Sequence, residues 1–216
     1  MSEPAKRQPY LIGFIGTNRT GKTTEALKIA KKYRETHGKK NEIIAFDPQG
    51  KFKDVADYFI TSKDDIINLL DRKDFLLILD DYQALYPAFS MDQTLVYLLT
   101  KRAEHGMDMI FITHAPALIK QGMTYYMTHL FIFYTNMGKE VIGIDKKVPN
   151  SEFIEFLFRL INEEIKSTGG LDLAQKDYPN FRHIIYHYSS EKYVTKNFKN
   201  EKSKKSVQTK RTKKIN

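Results

Sequence analysis

A glycine-bounded loop with the sequence GTNRTGKT occupies residues 16–23 and carries the residue types that bind phosphate groups. Gly16 and Gly21 permit the tight backbone bends that turn amide N–H groups towards phosphate oxygens. Lys22 supplies a positive charge for the β- and γ-phosphates of a nucleotide, and the hydroxyl of Thr23 is a ligand for Mg²⁺. The loop matches the complete spacing G-x-x-x-x-G-K-[ST], so it predicts binding of a nucleoside triphosphate.

The predicted phosphate contacts include every residue of this loop and one residue beyond it. A helix is expected to follow the loop, and the positive end of its dipole then points at the same phosphates. Thr24, the residue beyond the motif, is placed for the α-phosphate. The predicted nucleotide-binding residues are Gly16, Thr17, Asn18, Arg19, Thr20, Gly21, Lys22, Thr23 and Thr24.

Two carboxylates, Asp80 and Asp81, directly follow the apolar run FLLIL at 75–79. Such a run is typical of a strand covered on both faces, and ligands of parallel sheets gather at the carboxyl ends of strands. Asp80 is therefore assigned to the Mg²⁺ that Thr23 also contacts. Asp81 is predicted to orient or deprotonate the attacking water. The alternative interpretation of the pair is a solvated turn after a strand.

Two other classes of nucleotide-binding enzyme lack support in the sequence. An Asn-Lys-x-Asp motif, which would recognise a guanine base, does not occur. Phosphoryl transfer to a small molecule usually needs an arginine-rich lid, and no arginine cluster is present outside the C-terminal tail. These absences favour hydrolysis of ATP coupled to motion.

The loop and the acidic pair can meet only if strands and helices alternate along the chain. Strands are predicted at 10–15, 42–46, 75–79, 109–113 and 130–135, with a short edge strand at 58–61 and a hairpin at 183–195. Helices are predicted at about 21–37, 62–72, 90–105 and 151–166. This alternation predicts an α/β fold in which a mostly parallel sheet lies between two layers of helices.

The charge of the 216-residue chain is unevenly distributed, although its formal total is +9. Residues 196–216 carry nine Lys or Arg residues against the single acid Glu201, which leaves +1 for residues 1–195. We therefore predict one globular domain at 1–195 and a disordered cationic tail at 196–216. Three interpretations of the tail stay open: a solubilising end, contact with a nucleic-acid backbone, or attraction to an anionic membrane, with no other membrane contact expected.

The composition of the chain excludes several kinds of chemistry and a place in the membrane. The chain has no cysteine, which excludes disulfides, cysteine-ligated zinc and a thiol nucleophile. The N-terminal segment lacks the apolar core of a signal peptide, and the apolar runs are far shorter than the roughly 20 residues that span a bilayer. We expect a soluble intracellular protein or a virion component, not an integral membrane protein, and the lack of cysteine fits a reducing cytoplasm.

Three further segments line up with the phosphate-binding motif. They are IIAFDPQG at 43–50, LILDDYQ at 77–83 and KRAEHGMDMIFITHAP at 101–116. In this order and spacing, residues 10–135 resemble the HerA/FtsK superfamily of P-loop ATPases, which includes DNA pumps, genome-packaging ATPases of tailless viruses and Zot-like phage assembly proteins. The resemblance implies a sheet with the strand order 5-1-4-3-2, a ring of subunits, and force applied to nucleic acid in a central channel.

The resemblance also implies roles for single residues. Asp80 is the metal-site acid, and Asp81 stands where the family usually has a catalytic Glu, which is one methylene longer. His114 stands where the family usually has a polar sensor of the γ-phosphate. Arg102 is a candidate arginine finger acting on a neighbour's nucleotide, with a solvated helix-end arginine as the alternative. Arg19 is a candidate for a second contact with a neighbouring subunit or DNA.

The expected function is ATP-driven translocation of double-stranded DNA by an oligomeric ring, as in viral genome packaging, with ATP and Mg²⁺ as cofactors. Capsid proteins are a further expected class of partner. The expected location is the cytoplasm of the host cell, with association to the virion. Two alternatives stay open: a Zot-like assembly ATPase that lacks the transmembrane segment of such relatives, and a nucleotide-binding interaction protein that hydrolyses ATP slowly or not at all.

Overall fold

The computed structural model describes residues 7–86, 93–115, 121–135, 150–176 and 181–199. The strands are β1 (Leu11–Ile15), β2 (Ile43–Phe46), β3 (Tyr58–Phe59), β4 (Leu76–Asp80), β5 (Asp108–Thr113), β6 (His129–Ile132), β7 (His183–His187) and β8 (Lys192–Lys196). The helices are α1 (Lys22–His37), α2 (Lys63–Ile67), α3 (Gln93–His105), α4 (Gln121–Thr124), α5 (Ser151–Ser167) and α6 (Gly170–Lys176). None of these helices has both the length and the apolar character needed to cross a bilayer.

These strands form one sheet in the order β3-β2-β4-β5-β1-β6-β7-β8. The pairs from β3 through β6 are parallel, whereas β7 and β8 add an antiparallel hairpin. The five strands predicted first keep the expected order 5-1-4-3-2, here β6-β1-β5-β4-β2. The full sheet differs from that prediction because β3 extends it at one edge and the hairpin at the other. The α/β, mostly parallel fold class is confirmed.

The apolar character of the central strands places a hydrophobic core on both faces of the sheet. Alternate residues of β1 point in opposite directions, so Ile15 packs in one cluster with Leu157 of α5, and Phe14 packs in the other with Ala30 of α1. Full burial of one such side chain contributes about 1.5–3 kcal/mol to folding. Helices therefore cover both faces, as the three-layer prediction requires.

Parallel pairing brings the polar ends of four strands to one edge of the sheet. Gly16 follows β1, Asp47 follows β2, Asp81 follows β4 and His114 follows β5. Since β1, β2, β4 and β5 run in the same direction, these four residues lie at the carboxyl edge, where α1 also begins.

The last described residues pack onto the folded body and do not leave it at residue 196. Phe198 is buried in the core, and the backbone N–H of Lys199 donates to Oε1 of Glu164 at 2.6 Å. Glu164 is itself buried and lies 3.8 Å from Nη1 of buried Arg182. The folded body thus continues through Lys199, past the predicted boundary, and the remainder of the predicted tail, 200–216, lies outside the described residues.

The two outer strands of the sheet differ in character: β3 is short and β8 is charged. At one edge, β3 consists only of Tyr58 and Phe59. At the other edge, β8 begins with Lys192 and ends with Lys196, and both lysines are exposed.

Candidate nucleotide-binding site

The phosphate loop, residues 16–23, is fixed by hydrogen bonds to the two strands beside β1. The backbone N–H of Gly16 donates to the carbonyl of Thr113 at 3.3 Å, at the end of β5. The N–H of Thr17 donates to the carbonyl of Tyr134 at 2.8 Å, just after β6. The loop is therefore held in place by its neighbours in the sheet before any ligand binds.

The two glycines of the motif are needed for space as well as for backbone freedom. A Cβ on Gly21 would lie 2.2 Å from the ring of Phe181, and Gly21 also has a left-handed φ of 97°. A Cβ on Gly16 would lie 2.6 Å from the Cβ of Phe133. Any side chain at either position would collide with these aromatic residues, so the loop could not keep its shape.

Lys22 is the first residue of α1 and is only 4% exposed. Its Nζ donates to the carbonyl of Thr17 at 2.9 Å. Burial lowers the pKa of Lys22 to about 8, although the nearby carboxylate of Asp80 favours the charged form. The ammonium is thus held where its charge is poorly compensated, and a phosphate would supply the missing negative charge.

Asp80, the last residue of β4, lies opposite the hydroxyl of Thr23, whose Oγ1 is 3.5 Å from Oδ2 of Asp80. Asp80 is 5% exposed, and burial raises its pKa to about 6. The cations Lys51 and Lys22 oppose that rise, while Asp47 adds to it. At neutral pH the carboxylate is therefore largely ionised, which a metal ligand requires.

The donor set formed by Thr23 and Asp80 suits Mg²⁺, which prefers oxygen ligands and retains several waters. Among the residues that the structure describes, no group of three or more His, Asp or Glu side chains could hold a metal ion by itself. A metal here would therefore depend on oxygens from the phosphates of a bound nucleotide, as the pairing of one hydroxyl with one carboxylate implies.

Asp81 and His114 form the end of the site beyond Lys22. Asp81 has a left-handed backbone, with φ of 58°, and its Oδ1 accepts a hydrogen bond from Nε2 of Gln83. The same Oδ1 lies 3.6 Å from Nε2 of His114. Burial and the charge of Lys22 lower the pKa of His114, with Asp81 opposing. His114 is therefore neutral at physiological pH, and its buried Nδ1 has no hydrogen-bond partner among the described residues.

One cavity of about 770 Å³ unites most of the predicted site. Its lining residues are Asn18, Arg19, Gly21, Lys22, Thr23, Thr24, Gln49, Lys51, Asp80, Asp81, His114, Gln175 and Phe181. The predicted residues Gly16, Thr17 and Thr20 do not line it. They support the loop from behind, since the hydroxyl of Thr20 donates to the carbonyl of Thr17 at 2.7 Å.

Sequence reasoning did not assign four of the lining residues: Gln49, Lys51, Gln175 and Phe181. For Gln49 and Lys51 a signal existed, because they follow the strand that ends at Phe46 and belong to the same carboxyl edge. Gln175 lies in α6 and Phe181 precedes β7, distant in sequence from the loop. Only the folded structure brings those two residues to the cavity.

The structure does not bring Arg102 into this site. Arg102 lies near the end of α3 and is 9% exposed. The charged residue that acts on it is Asp108, the first residue of β5. Arg102 therefore lies near the amino ends of the parallel strands, whereas the phosphate loop lies at their carboxyl ends. Its Nε and Nη1 are buried without a hydrogen-bond partner among the described residues. A finger for a neighbouring subunit needs an accessible guanidinium, so this placement does not support the predicted role, nor the alternative of a solvated arginine.

A phosphate loop between the first strand and first helix, beside a strand that ends in acids, defines a P-loop NTPase fold. The genome packaging NTPase B204 of Sulfolobus turreted icosahedral virus 2, in complex with AMPPCP, shares this fold with a TM-score of 0.63 and 11% identity, over 88% of this chain and 97% of that chain. The DNA-packaging ATPase B204 of Sulfolobus turreted icosahedral virus matches with a TM-score of 0.61 and 11% identity, over 88% of this chain and 98% of that chain.

The fold also occurs in a secretion protein. The cytoplasmic domain of the type VII secretion ATPase EccC from Thermomonospora curvata matches with a TM-score of 0.56 and 13% identity, over 88% of this chain and 23% of that chain. No family model and no curated protein matches the sequence. At these identities the likeness concerns the fold, which agrees with the fold that the superfamily resemblance implied.

Proposed function

We propose that the chain is a Mg²⁺-dependent ATPase. The observation that carries this proposal is the single cavity in which a buried lysine, a hydroxyl–carboxylate pair and a second carboxylate meet at the carboxyl edge of the sheet. A buried ammonium at a helix start beside a phosphate loop suits the phosphates of a nucleoside triphosphate.

Each residue has a distinct role in this proposal. Lys22 and the loop amides hold the β- and γ-phosphates, while Thr23 and Asp80 hold Mg²⁺, which when bound neutralises phosphate charge. Asp81 accepts a proton from water as the water oxygen bonds to the γ-phosphorus and the bond to the bridging oxygen breaks, giving ADP and phosphate. Neutral His114, beside Asp81, is placed to sense whether a γ-phosphate is present.

We further propose that hydrolysis drives movement of double-stranded DNA through a ring of identical subunits. The fold that the chain shares with B204 supports this proposal, since B204 is a genome packaging NTPase in one virus and a DNA-packaging ATPase in the other. The basic residues after Lys199 offer charge for a phosphate backbone. In this setting capsid proteins would be partners, and the protein would act in the host cytoplasm or on the virion.

Steady-state phosphate release from ATP tests both levels of this proposal. Hydrolysis is expected to require Mg²⁺, since chelation removes the ion that Thr23 and Asp80 share, and double-stranded DNA is expected to accelerate it at constant ionic strength. Single-stranded DNA and RNA of matched length are the controls. Strong hydrolysis that no nucleic acid alters would contradict the translocase but not the ATPase.

The contribution of the C-terminal segment is measurable with a chain that ends at Lys199. This chain keeps Phe198 and the hydrogen bond between Lys199 and Glu164 but lacks seven Lys or Arg residues. Basal hydrolysis should stay unchanged, while the affinity for DNA falls. The slope of log affinity against log salt concentration should flatten by about 0.9 for each DNA phosphate that the shorter chain no longer neutralises. An unchanged slope would mean that the segment only solubilises the protein.

A slow nucleotide-binding switch is the second candidate function. The hydrogen bond from Gln83 occupies an oxygen of Asp81, and Asp81 is one methylene shorter than the Glu that the superfamily resemblance leads us to expect. Both features weaken activation of water. Single-turnover hydrolysis separates the two candidates, because a switch binds ATP tightly yet releases phosphate far more slowly than a motor can use.

A further inference from the structure

The turn after β2 holds Lys51 at the wall of the nucleotide cavity. The carboxylate of Asp47 accepts the backbone N–H of Gln49 at 3.2 Å on one oxygen and that of Phe52 at 2.7 Å on the other. Gly50 takes a left-handed φ of 65°, and the side chain of Phe52 is fully buried beneath the turn. Lys51 therefore projects from a backbone that is fixed on both sides.

The ammonium of Lys51 has no assigned structural role. Lys51 is exposed, and no hydrogen bond or ion pair to it is found among the residues that the structure describes. Its charge nevertheless reaches the site, because it lowers the pKa of Lys22, of Asp80 and of His114. Lys51 lines the same cavity as these three residues, so it borders the space that the terminal phosphate of a triphosphate would occupy.

A further cation at this place accelerates hydrolysis of ATP, because negative charge accumulates on the oxygens of the γ-phosphoryl group during transfer. The arginine expected from the sequence, Arg102, is buried at the other edge of the sheet. Lys51 is a cation like Arg102 but, unlike Arg102, it is exposed and lines the cavity.

We infer that Lys51 is a catalytic residue that contacts the γ-phosphate within its own subunit. This inference rests on the proposed ATPase function. As the water oxygen bonds to phosphorus and ADP leaves with the electron pair of the broken bond, Lys51 keeps its proton and neutralises the charge that develops. Because a diphosphate lacks the γ-phosphate, Lys51 also makes the site prefer ATP over ADP.

The variants Lys51→Ala, Lys51→Met and Lys51→Arg test this inference against the matched control Lys53→Ala. Lys53 is exposed and only two residues away, but it does not line the cavity. We expect Lys51→Ala and Lys51→Met to lower kcat about 100-fold, the effect of removing one donor to a transition state, and Lys51→Arg to restore much of it. Lys53→Ala should behave as the original chain.

Binding gives a readout that does not depend on turnover. The affinity for a non-hydrolysable ATP analogue with Mg²⁺ should fall about tenfold in Lys51→Ala, the loss expected for one exposed charge contact, while the affinity for ADP stays within about twofold. Equal losses for both nucleotides, or no loss in either, would overturn the role of Lys51 and leave the ATPase standing. If the original chain binds neither nucleotide, the proposed function falls and this inference with it.

Discussion

Replacing Lys22 with methionine is expected to abolish ATP hydrolysis and, at the same time, to raise the melting temperature of the nucleotide-free protein. A pKa lowered from 10.5 to about 8 corresponds to about 3 kcal/mol for keeping this buried ammonium charged at neutral pH. Methionine fills a similar volume without charge, so the folded apoprotein should gain several degrees. The rate falls because the β- and γ-phosphates lose the charge that holds them.

The dependence on pH makes this prediction specific. Folding lowers the pKa of Lys22, so the charged ammonium destabilises the folded protein fully below about pH 8. This destabilisation disappears above pH 10.5, the pKa of Lys22 in the unfolded chain. The difference in melting temperature between the two chains should therefore shrink as the pH rises through that interval. The matched control is Lys31→Met, an exposed lysine of α1. A Lys22→Met protein that melts lower at neutral pH, or still hydrolyses ATP, would contradict the account.

Replacing Asp81 with asparagine is expected to lower kcat by about 10²–10⁴-fold, the usual effect of removing a general base, while ATP binding changes little. Asparagine has the same shape and tolerates the left-handed backbone that Asp81 adopts, with φ of 58°. The variant should therefore fold normally. It cannot take a proton from water, so the chemical step alone should suffer.

Single-turnover kinetics and equilibrium nucleotide binding separate the two effects in Asp81→Asn. The matched control is Asp54→Asn, an exposed aspartate in the turn after β2 that does not line the cavity. If Asp81→Asn weakens ATP binding as strongly as it slows turnover, Asp81 acts on the bound metal and not on water. If neither quantity changes, Asp81 is only a turn residue after β4, which is the alternative that its sequence position allows.

The sequence predicted the fold well because the decisive signals are local. The apolar run before Asp80 is buried along its length, and Gly16–Thr23 combines a strand end, a turn and a helix start in a few residues. The strand order also agreed in its central part. The added strands at the edges were harder to place because their partners are set by tertiary contacts, as for the pairing of β7 with β6.

The site was predicted less completely than the fold, for physical reasons. Asp80 is the last residue of β4, and Asp81 and His114 directly follow strands, so the strand-end rule finds all three. Lys51 follows β2 at the carboxyl edge, so the strand-end rule points to its region, but an exposed lysine in a turn has no pattern that singles it out. Phe181 packs against Gly21 although the two residues are far apart in the sequence, and no local pattern encodes such a contact. Arg102 shows a further limit, since its place in a helix does not reveal that its guanidinium is buried.

The two outer strands restrict how copies of this protein can join. A strand of two residues at one edge offers almost no backbone groups to pair with, and the exposed Lys192 and Lys196 at the other edge would face equal charges on a second copy. Among the described residues, both edge strands therefore oppose continuation of the sheet from one molecule into the next. In the proposed ring, contacts between copies through helices and loops would be able to slide or rotate without breaking a ladder of hydrogen bonds.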